Sequence, residues 1–312
     1  MRAITVSSYG ARPSITELPA PRAGPGQVLI AVQAAGMNPM DVQIASGGWR
    51  DQMPARFPMV LGADLAGAVQ DDGPGAARFA SGDEVFGQLL IAPLGSAGTY
   101  AEYVACREDA PLARIPAGLD PVTAAALPTA GGTGMAIAES LAPLDGKTVL
   151  IVGAAGGVGS FATQFTARAG AHVAAVAPAA EAGRMRGYGA AEIIDQAAPL
   201  PEAVARAHPD GIDVLIDVAS DARQFAALAG HVRPGGTAVT TRYVADEHAL
   251  ARAGVTGVNF ALHTTVPLLE RLASCVAAGS VSPPPITRLS LDEVAALLSQ
   301  DRHTAGKTVI TM

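Results

Sequence analysis

The sequence is short of aromatic and charged residues: 4% aromatic and 16% charged, against 49% hydrophobic, over 312 residues. That balance excludes a disordered chain and implies a globular one with a large core, enough for about two domains. It has no basic block, and 21 Lys and Arg against 28 Asp and Glu give a formal net charge of −7. Phosphate backbones need clustered Lys and Arg, so nucleic-acid binding is not expected. No apolar run reaches the roughly 18 residues of a membrane span, so no membrane partner is expected either. The two cysteines, Cys106 and Cys275, lie far apart and make no disulfide framework. They fit a reducing cytoplasm, as does an N-terminus, "MRAITVSSYG", that enters a strand-like pattern with no apolar signal segment. The histidines (His172, His208, His231, His248, His263 and His303) are scattered, and none has a partner at i+2 to i+4.

What is abundant is glycine and proline, 35 and 23 residues. Up to about residue 120 they separate short alternating apolar runs: "QVLIAVQAAG" (27–36), "LAGAVQ" (65–70), "GDEVFGQLL" (82–90) and "TYAEYVAC" (99–106). These predict strands between turns, hence a β domain. Near the boundary, Asp120 is an N-cap candidate, Pro121 suits the first helical position, and an Ala-rich helix follows. From about 147 the rhythm changes. Strands are predicted at "TVLIVG", "HVAAVA" (172–177), "EIID" (192–195), "DVLIDVA" (213–219), "TAVTTR" (237–242) and "TGVNF" (256–260), with helices over 158–169 and 180–188. Near-continuous apolar strands alternating with helices predict a parallel sheet covered on both faces. Helices over 264–279 and 291–300 and a last strand, "GKTVITM", complete the chain.

The turn in "VLIVGAAGGVGSFATQF" joins the first of these strands to a helix. That is the context of a dinucleotide site. In Ala154-x-Gly156-x-x-Gly159 the first position of the glycine fingerprint is Ala. Gly156 allows a pyrophosphate to approach the backbone, and Gly159 lets helix and strand pack closely. The N–H groups of residues 156–159 are expected to face the anion at the helix start. An acidic residue at the end of the second strand would select NAD. Pro178 and Ala179 stand there, Glu181 comes too late, and Arg184 and Arg186 follow, which favours NADPH.

The stretches "AAGMNPMDVQIASGGW", "FPMVLGADLAGAV", "GDEVFG", "GTYAEYV", "AAALPTAGGTG", "GKTVLIVGAAGGVGSFATQ", "DVLIDVAS", "RPGGTAVT" and "HTAGKTVI" run in order over essentially the whole chain. In these the sequence resembles the medium-chain dehydrogenase/reductases, in particular their zinc-independent quinone oxidoreductase group. The resemblance implies an α/β fold. A doubly wound Rossmann domain (123–262) would be joined to a β-rich, GroES-like catalytic domain (1–122 and 263–312). It implies a cytoplasmic, homodimeric NADPH-dependent reductase of a quinone or α,β-unsaturated carbonyl, the dimer formed by edge strands around "TGVNF". An enoyl-thioester reductase, or a nucleotide-binding protein without turnover, is the alternative.

Zinc members carry Cys where this chain has Asn38 and His-Glu where it has Ala63-Asp64. A catalytic zinc needs three N, S or O ligands, so no metal is expected. The resemblance sets Asn38 and Asp41 in the reaction cleft near the nicotinamide. Their neighbours Pro39 and Met40 cannot donate a proton, which leaves water as the candidate source. It sets Thr133, Ala155, Gly156, Gly157, Val158, Gly159, Pro178, Arg184, Val218, Ala219 and Thr241 along the cofactor, and Trp49 against an aromatic substrate. Lys307 belongs to a motif of the family and reads equally as a turn before the last strand.

Overall fold

Along Gln27–Gly36 buried side chains alternate with half-buried ones for most of the length, the period of a strand with a core behind one face. The computed structural model describes residues 1–298 and 306–312. It forms two units, Met1–Gly132 with Thr264–Met312, and Thr133–His263. The first unit opens with β1 (Arg2–Val6), β2 (Ser14–Glu17), β3 (Gln27–Gly36) and α1 (Pro39–Ala45). There follow β4 (Met59–Val60), β5 (Asp64–Asp72), β6 (Glu84–Gln88), β7 (Tyr103–Arg107), β8 (Leu112–Arg114) and α2 (Pro121–Ala125). The chain passes to the second unit within α3 (Pro128–Ser140).

The second unit contains β9 (Thr148–Val152), α4 (Gly157–Arg168), β10 (His172–Ala177), α5 (Ala182–Gly187) and β11 (Glu192–Asp195). It continues with α6 (Leu200–Ala207), β12 (Ile212–Asp217), α7 (Ala222–Ala229), β13 (Val232–Thr240), α8 (Glu247–Arg252) and β14 (Thr256–Asn259). The chain then returns to the first unit as α9 (Val266–Ala277), β15 (Ile286–Ser290), α10 (Leu291–Leu298) and β16 (Lys307–Thr311).

In the first unit the main sheet runs β15-β16-β3-β5-β6-β8, with β7 also pairing with β3, and a small sheet runs β2-β1-β4. β16 lies antiparallel to β3, with Val309 opposite Gly36, so the C-terminal strand is laid against the residues just before Asn38. The second unit is a six-stranded sheet in the order β11-β10-β9-β12-β13-β14, every pair parallel. Its strands are buried on both faces. Val149, Ile151, Val173 and Ala175 pack to one side, and Leu150, Val152, Ala174 and Val176 to the other. Strand order reverses at β9, so the C-terminal ends of β9 and β12 flank the switch point where α/β sheets bind ligands. This is the doubly wound arrangement expected from the sequence.

Asp120 caps α2 as expected, its carboxylate accepting from the N–H groups of Val122 and Thr123. The strand expected at 99–106 begins only at Tyr103, because the preceding residues pair elsewhere: Ile4 donates to the Tyr100 carbonyl, and Ala3 bridges Ala101. The helix expected over 180–188 opens as a 3₁₀ turn at Ala179–Glu181 and becomes α-helical from Ala182. The helices α1, α6, α7 and α8 and the strand β15 were not legible. Each spans at most eight residues, barely two turns of helical period. The end of the helix expected over 291–300 and the His303–Ala305 part of "HTAGKTVI" lie outside the described residues.

Candidate active site

Asn38 ends the turn after β3 and caps α1. Asn38 N–H donates to Asp41 Oδ2 at 2.8 Å, the Tyr100 hydroxyl donates to the same oxygen at 2.6 Å, and Pro39 takes the first helical turn. The Asn38 amide is committed at both ends. Its Nδ2 donates to Asp64 Oδ2 at 2.9 Å and to the Gly36 carbonyl at 3.3 Å. Its Oδ1 accepts from Lys307 Nζ at 2.5 Å, while the same ammonium donates to the Met37 carbonyl at 2.9 Å. Asp64 in turn accepts from Thr129 through both the hydroxyl (2.6 Å) and the backbone N–H (3.2 Å). Gln88 extends the chain, donating to the Thr129 hydroxyl and accepting from Thr264. Asn38, Asp41, Asp64, Gln88, Tyr100, Thr264 and Lys307 are buried.

So many titratable groups out of water must perturb one another. Burial pushes the Asp41 carboxyl up to about 7, against the hydrogen bonds from Tyr100 and Asn38 that favour its charged form. Burial likewise raises Asp64, opposed chiefly by the Lys307 charge. It lowers Lys307, opposed by Asp64 and then Asp41. It raises the Tyr100 phenol, reinforced by the charge on Asp41. Lys307 Nζ lies 3.6 Å from Asp64 Oδ2, so each partner limits the loss of the other's charge.

In the second unit β9 runs into Gly153, whose φ of +81° suits glycine. The Gly156 N–H donates back to the Gly153 carbonyl at 3.0 Å, so it is spent inside the turn and is not free as expected from the sequence. α4 starts at Gly157, and among the described residues no side chain caps it. The N–H groups of Gly157, Val158 and Gly159 precede any i−4 acceptor within the helix. A Cβ on Gly159 would lie 2.2 Å from the Gly153 carbonyl oxygen, so this glycine is required for packing. A Cβ on Gly156 would meet that oxygen at 3.3 Å, a tight contact that a small local shift would relieve, so the fold constrains this position less than Gly159.

Of the other expected cofactor residues, Val218, Ala219 and Arg184 adjoin this turn. A Cβ on Gly153 would lie 3.0 Å from both Val218 and Ala219, at the end of β12. Their backbone is pinned by Asp217 Oδ1, which accepts from Ala219 and Ser220. Thr241 follows β13, its N–H directed to the Asp217 carbonyl. Pro178 follows β10 directly. Arg184 does not simply face outward. Its guanidinium donates to the Ala155 carbonyl at 3.0 Å, to Ser160 Oγ at 3.1 Å and to Glu181 at 2.7 Å. Arg186 is exposed. Thr133 is buried on α3. Trp49 is half-buried and packs on the core of the first unit.

Sequence reasoning missed Tyr100, Gln88, Thr129 and the burial of Lys307, which starts β16 rather than forming a turn. It also missed Tyr243. This exposed residue has a left-handed φ of 57° just beyond Thr241, and no composition signal announces it.

Residues 24–117 match the alcohol dehydrogenase GroES-like domain family, and residues 157–260 match the zinc-binding dehydrogenase family. The chain is 30% identical over 329 residues to the mitochondrial NAD(P)H oxidoreductase RTN4IP1 of Bos taurus, spanning 92% of this chain and 82% of that protein. It is 29% identical over 331 residues to the chloroplast envelope quinone oxidoreductase homolog of Arabidopsis thaliana, spanning 99% and 98% of the two chains. Among solved structures, an alcohol dehydrogenase superfamily protein from Novosphingobium aromaticivorans superposes with a TM-score of 0.84 at 29% identity, covering 100% of this chain and 99% of that one.

The elevated Asp41 carboxyl has a thermodynamic consequence of definite sign. Between the ordinary 3.8 and the folded value of about 7, the native state holds a proton that the unfolded chain has released. The stability this contributes is present at acid pH and is lost as pH rises through about 7. Thermal unfolding of the wild type and Asp41→Asn, compared over the range from about pH 4 to about pH 9, should show the wild type losing ground until about pH 7 and then holding level. A pH-independent gap between the two proteins would contradict this.

Proposed function

Since the chain belongs to the medium-chain dehydrogenase/reductase superfamily, in its quinone oxidoreductase group, we propose that it is an NADPH-dependent, zinc-independent reductase of quinones or α,β-unsaturated carbonyls. That it is an NAD(P)H-dependent oxidoreductase follows from the family itself. The observation that carries the cofactor reading is the start of α4 behind β9, where no side chain among the described residues caps the helix and the first N–H groups have no acceptor within it. Gly157, Val158 and Gly159 would hold the pyrophosphate there through N–H groups. Val218, Ala219, Thr133 and Thr241 would hold the nicotinamide half. The bound cofactor supplies the hydride.

NADPH over NADH is supported by the end of β10. Pro178 stands where an acidic residue would grip a ribose hydroxyl, and the Glu181 carboxylate already pairs with Arg184 at 2.7 Å. The donor set of the first unit does not suit zinc. Ala63 offers no ligand, and the Asn38 amide oxygen already accepts from an ammonium. Without a Lewis acid to ionise an alcohol, the accessible chemistry is reduction of an acceptor whose conjugation spreads the incoming charge. A quinone takes one hydride and one proton to become a hydroquinone, and an enone takes the hydride at its β-carbon and a proton at its α-carbon. Asn38 is the polar group beside the substrate in this reading. Asp41 stands behind it, Trp49 offers a flat face to an aromatic acceptor, and water supplies the proton.

Among the described residues no helix is long and apolar enough to cross a membrane. Both thiols are free, which fits the reducing cytoplasm of this reading. Among the described residues β14 ends the six-stranded sheet with an unpaired edge, which a second copy of the chain would cover in a homodimer.

Steady-state NADPH oxidation with 1,4-benzoquinone, 9,10-phenanthrenequinone and crotonyl-CoA tests the activity. Turnover of a quinone with NADPH bound more tightly than NADH is expected. Turnover of crotonyl-CoA alone would make the protein an enoyl-thioester reductase, and binding without any turnover would make it a nucleotide carrier. The two glycines should separate. Gly156→Val should stay folded by circular dichroism yet lose at least about tenfold in NADPH affinity, ~1.4 kcal/mol. Gly159→Ala should lose about 1–3 kcal/mol of stability from overpacking. Wild-type NADPH affinity in folded Gly156→Val would place the dinucleotide elsewhere. Sedimentation at micromolar concentration should give twice the mass of one chain, and a monomer mass would remove the β14 dimer.

A further inference from the structure

The two ends of an amide are distinguished by what they can bond. An ammonium only donates and an ionised carboxylate only accepts. Asn38 is held between one of each: Lys307 Nζ at its Oδ1 and Asp64 Oδ2 at its Nδ2. Rotating the amide by half a turn would set NH₂ against an ammonium and oxygen against a carboxylate, two repulsions at once. Neither partner has water to fall back on, since Lys307 is 3% exposed and Asp64 0%. The polarity of the Asn38 side chain is therefore decided from β16, 269 residues away in sequence.

A lysine serving only to neutralise Asp64 would be expected to sit on the carboxylate. Instead its nitrogen is 3.6 Å from Asp64 Oδ2 and 2.5 Å from Asn38 Oδ1. Its second close bond, 2.9 Å, goes to the carbonyl of Met37, the residue before Asn38. Both strong contacts thus fall on the turn that carries Asn38, and the one to Asp64 is the looser. Asp41 on α1 and Asp64 on β5 are the charged groups that face this ammonium. Lys307 is also one of two lysines in the chain, the rest of the basic residues being arginine. A small ammonium on a flexible stem fits a buried point contact where a flat guanidinium would not.

We propose that Lys307 is a positioning residue for hydride transfer, fixing the orientation of the Asn38 amide and the turn that bears it. This rests on the reading of Asn38 as the polar group beside the substrate. Lys307 is buried, and it acts through the turn it holds, by its bonds to Asn38 and the Met37 carbonyl.

The test uses Lys307→Met, and also Lys307→Met combined with Asp64→Asn, which removes both members of the close pair and leaves Asp41 as the one carboxyl that faced the ammonium. Two readouts are taken: kcat and the NADPH KM with a quinone acceptor, and the Asn38 side-chain amide signals by ¹⁵N-resolved NMR. In both variants kcat should fall at least about tenfold while the NADPH KM stays within about twofold, since misplacement acts on geometry rather than on cofactor binding. The Asn38 amide signals should shift or average. Should the single variant fail to fold, the neutral double variant decides. Wild-type kcat in the double variant, or unmoved Asn38 signals, overturns the proposal and leaves Lys307 as a counter-charge. If the wild type turns over no acceptor, the functional reading fails, and the amide signals alone decide whether Lys307 positions Asn38.

Discussion

A carboxylate removed from water must find a cation, collect donors or take up a proton, and Asp64 does the first two. It receives the Asn38 amide and both donors of Thr129, with the Lys307 ammonium close by. From this one group the order of the first unit's polar interior follows. Asp64 and Lys307 orient Asn38. Asn38 caps α1 and passes its N–H to Asp41, and Asp41 holds the Tyr100 hydroxyl. Thr129 and Gln88 carry the same chain toward Thr264. β16 is laid against β3, and that pairing delivers the lysine to the carboxylate.

The second unit solves a different problem with backbone alone. Its sheet is covered on both faces, so polar groups are left at the strand ends, and the ends of β9 and β12 meet at the switch point. There the two glycines divide the labour. Gly159 is small because the Gly153 carbonyl oxygen would lie 2.2 Å from its Cβ, and Gly156 is held less tightly by the same oxygen at 3.3 Å. Arg184 and Asp217 brace this frame from either side, one on the Ala155 carbonyl and one on the backbone of Ala219 and Ser220.

Much of this was legible in the sequence, for identifiable reasons. Periodicity revealed β3, β10 and β11 residue by residue, because a strand buried on one or both faces writes its burial into local composition. The glycine turn was legible because a close backbone approach leaves few residue choices. Short helices such as α1 and α8 were not, since one or two turns hold too few residues to show a period. The roles inside the turn were not legible either: the Gly156 N–H, expected to be free, closes the turn on the Gly153 carbonyl.

The sequence by itself determined the two-part α/β architecture and the glycine-rich turn between β9 and α4, both written in contiguous stretches. Only the tertiary structure decided what Asn38 is bonded to, that Arg184 braces the turn, and that Lys307 is a buried partner of Asp64 rather than part of a turn. Those facts depend on side chains brought together across up to 269 positions by strand pairing. No local pattern encodes a contact whose halves lie in different strands, because each half alone looks like an ordinary polar residue beside a turn.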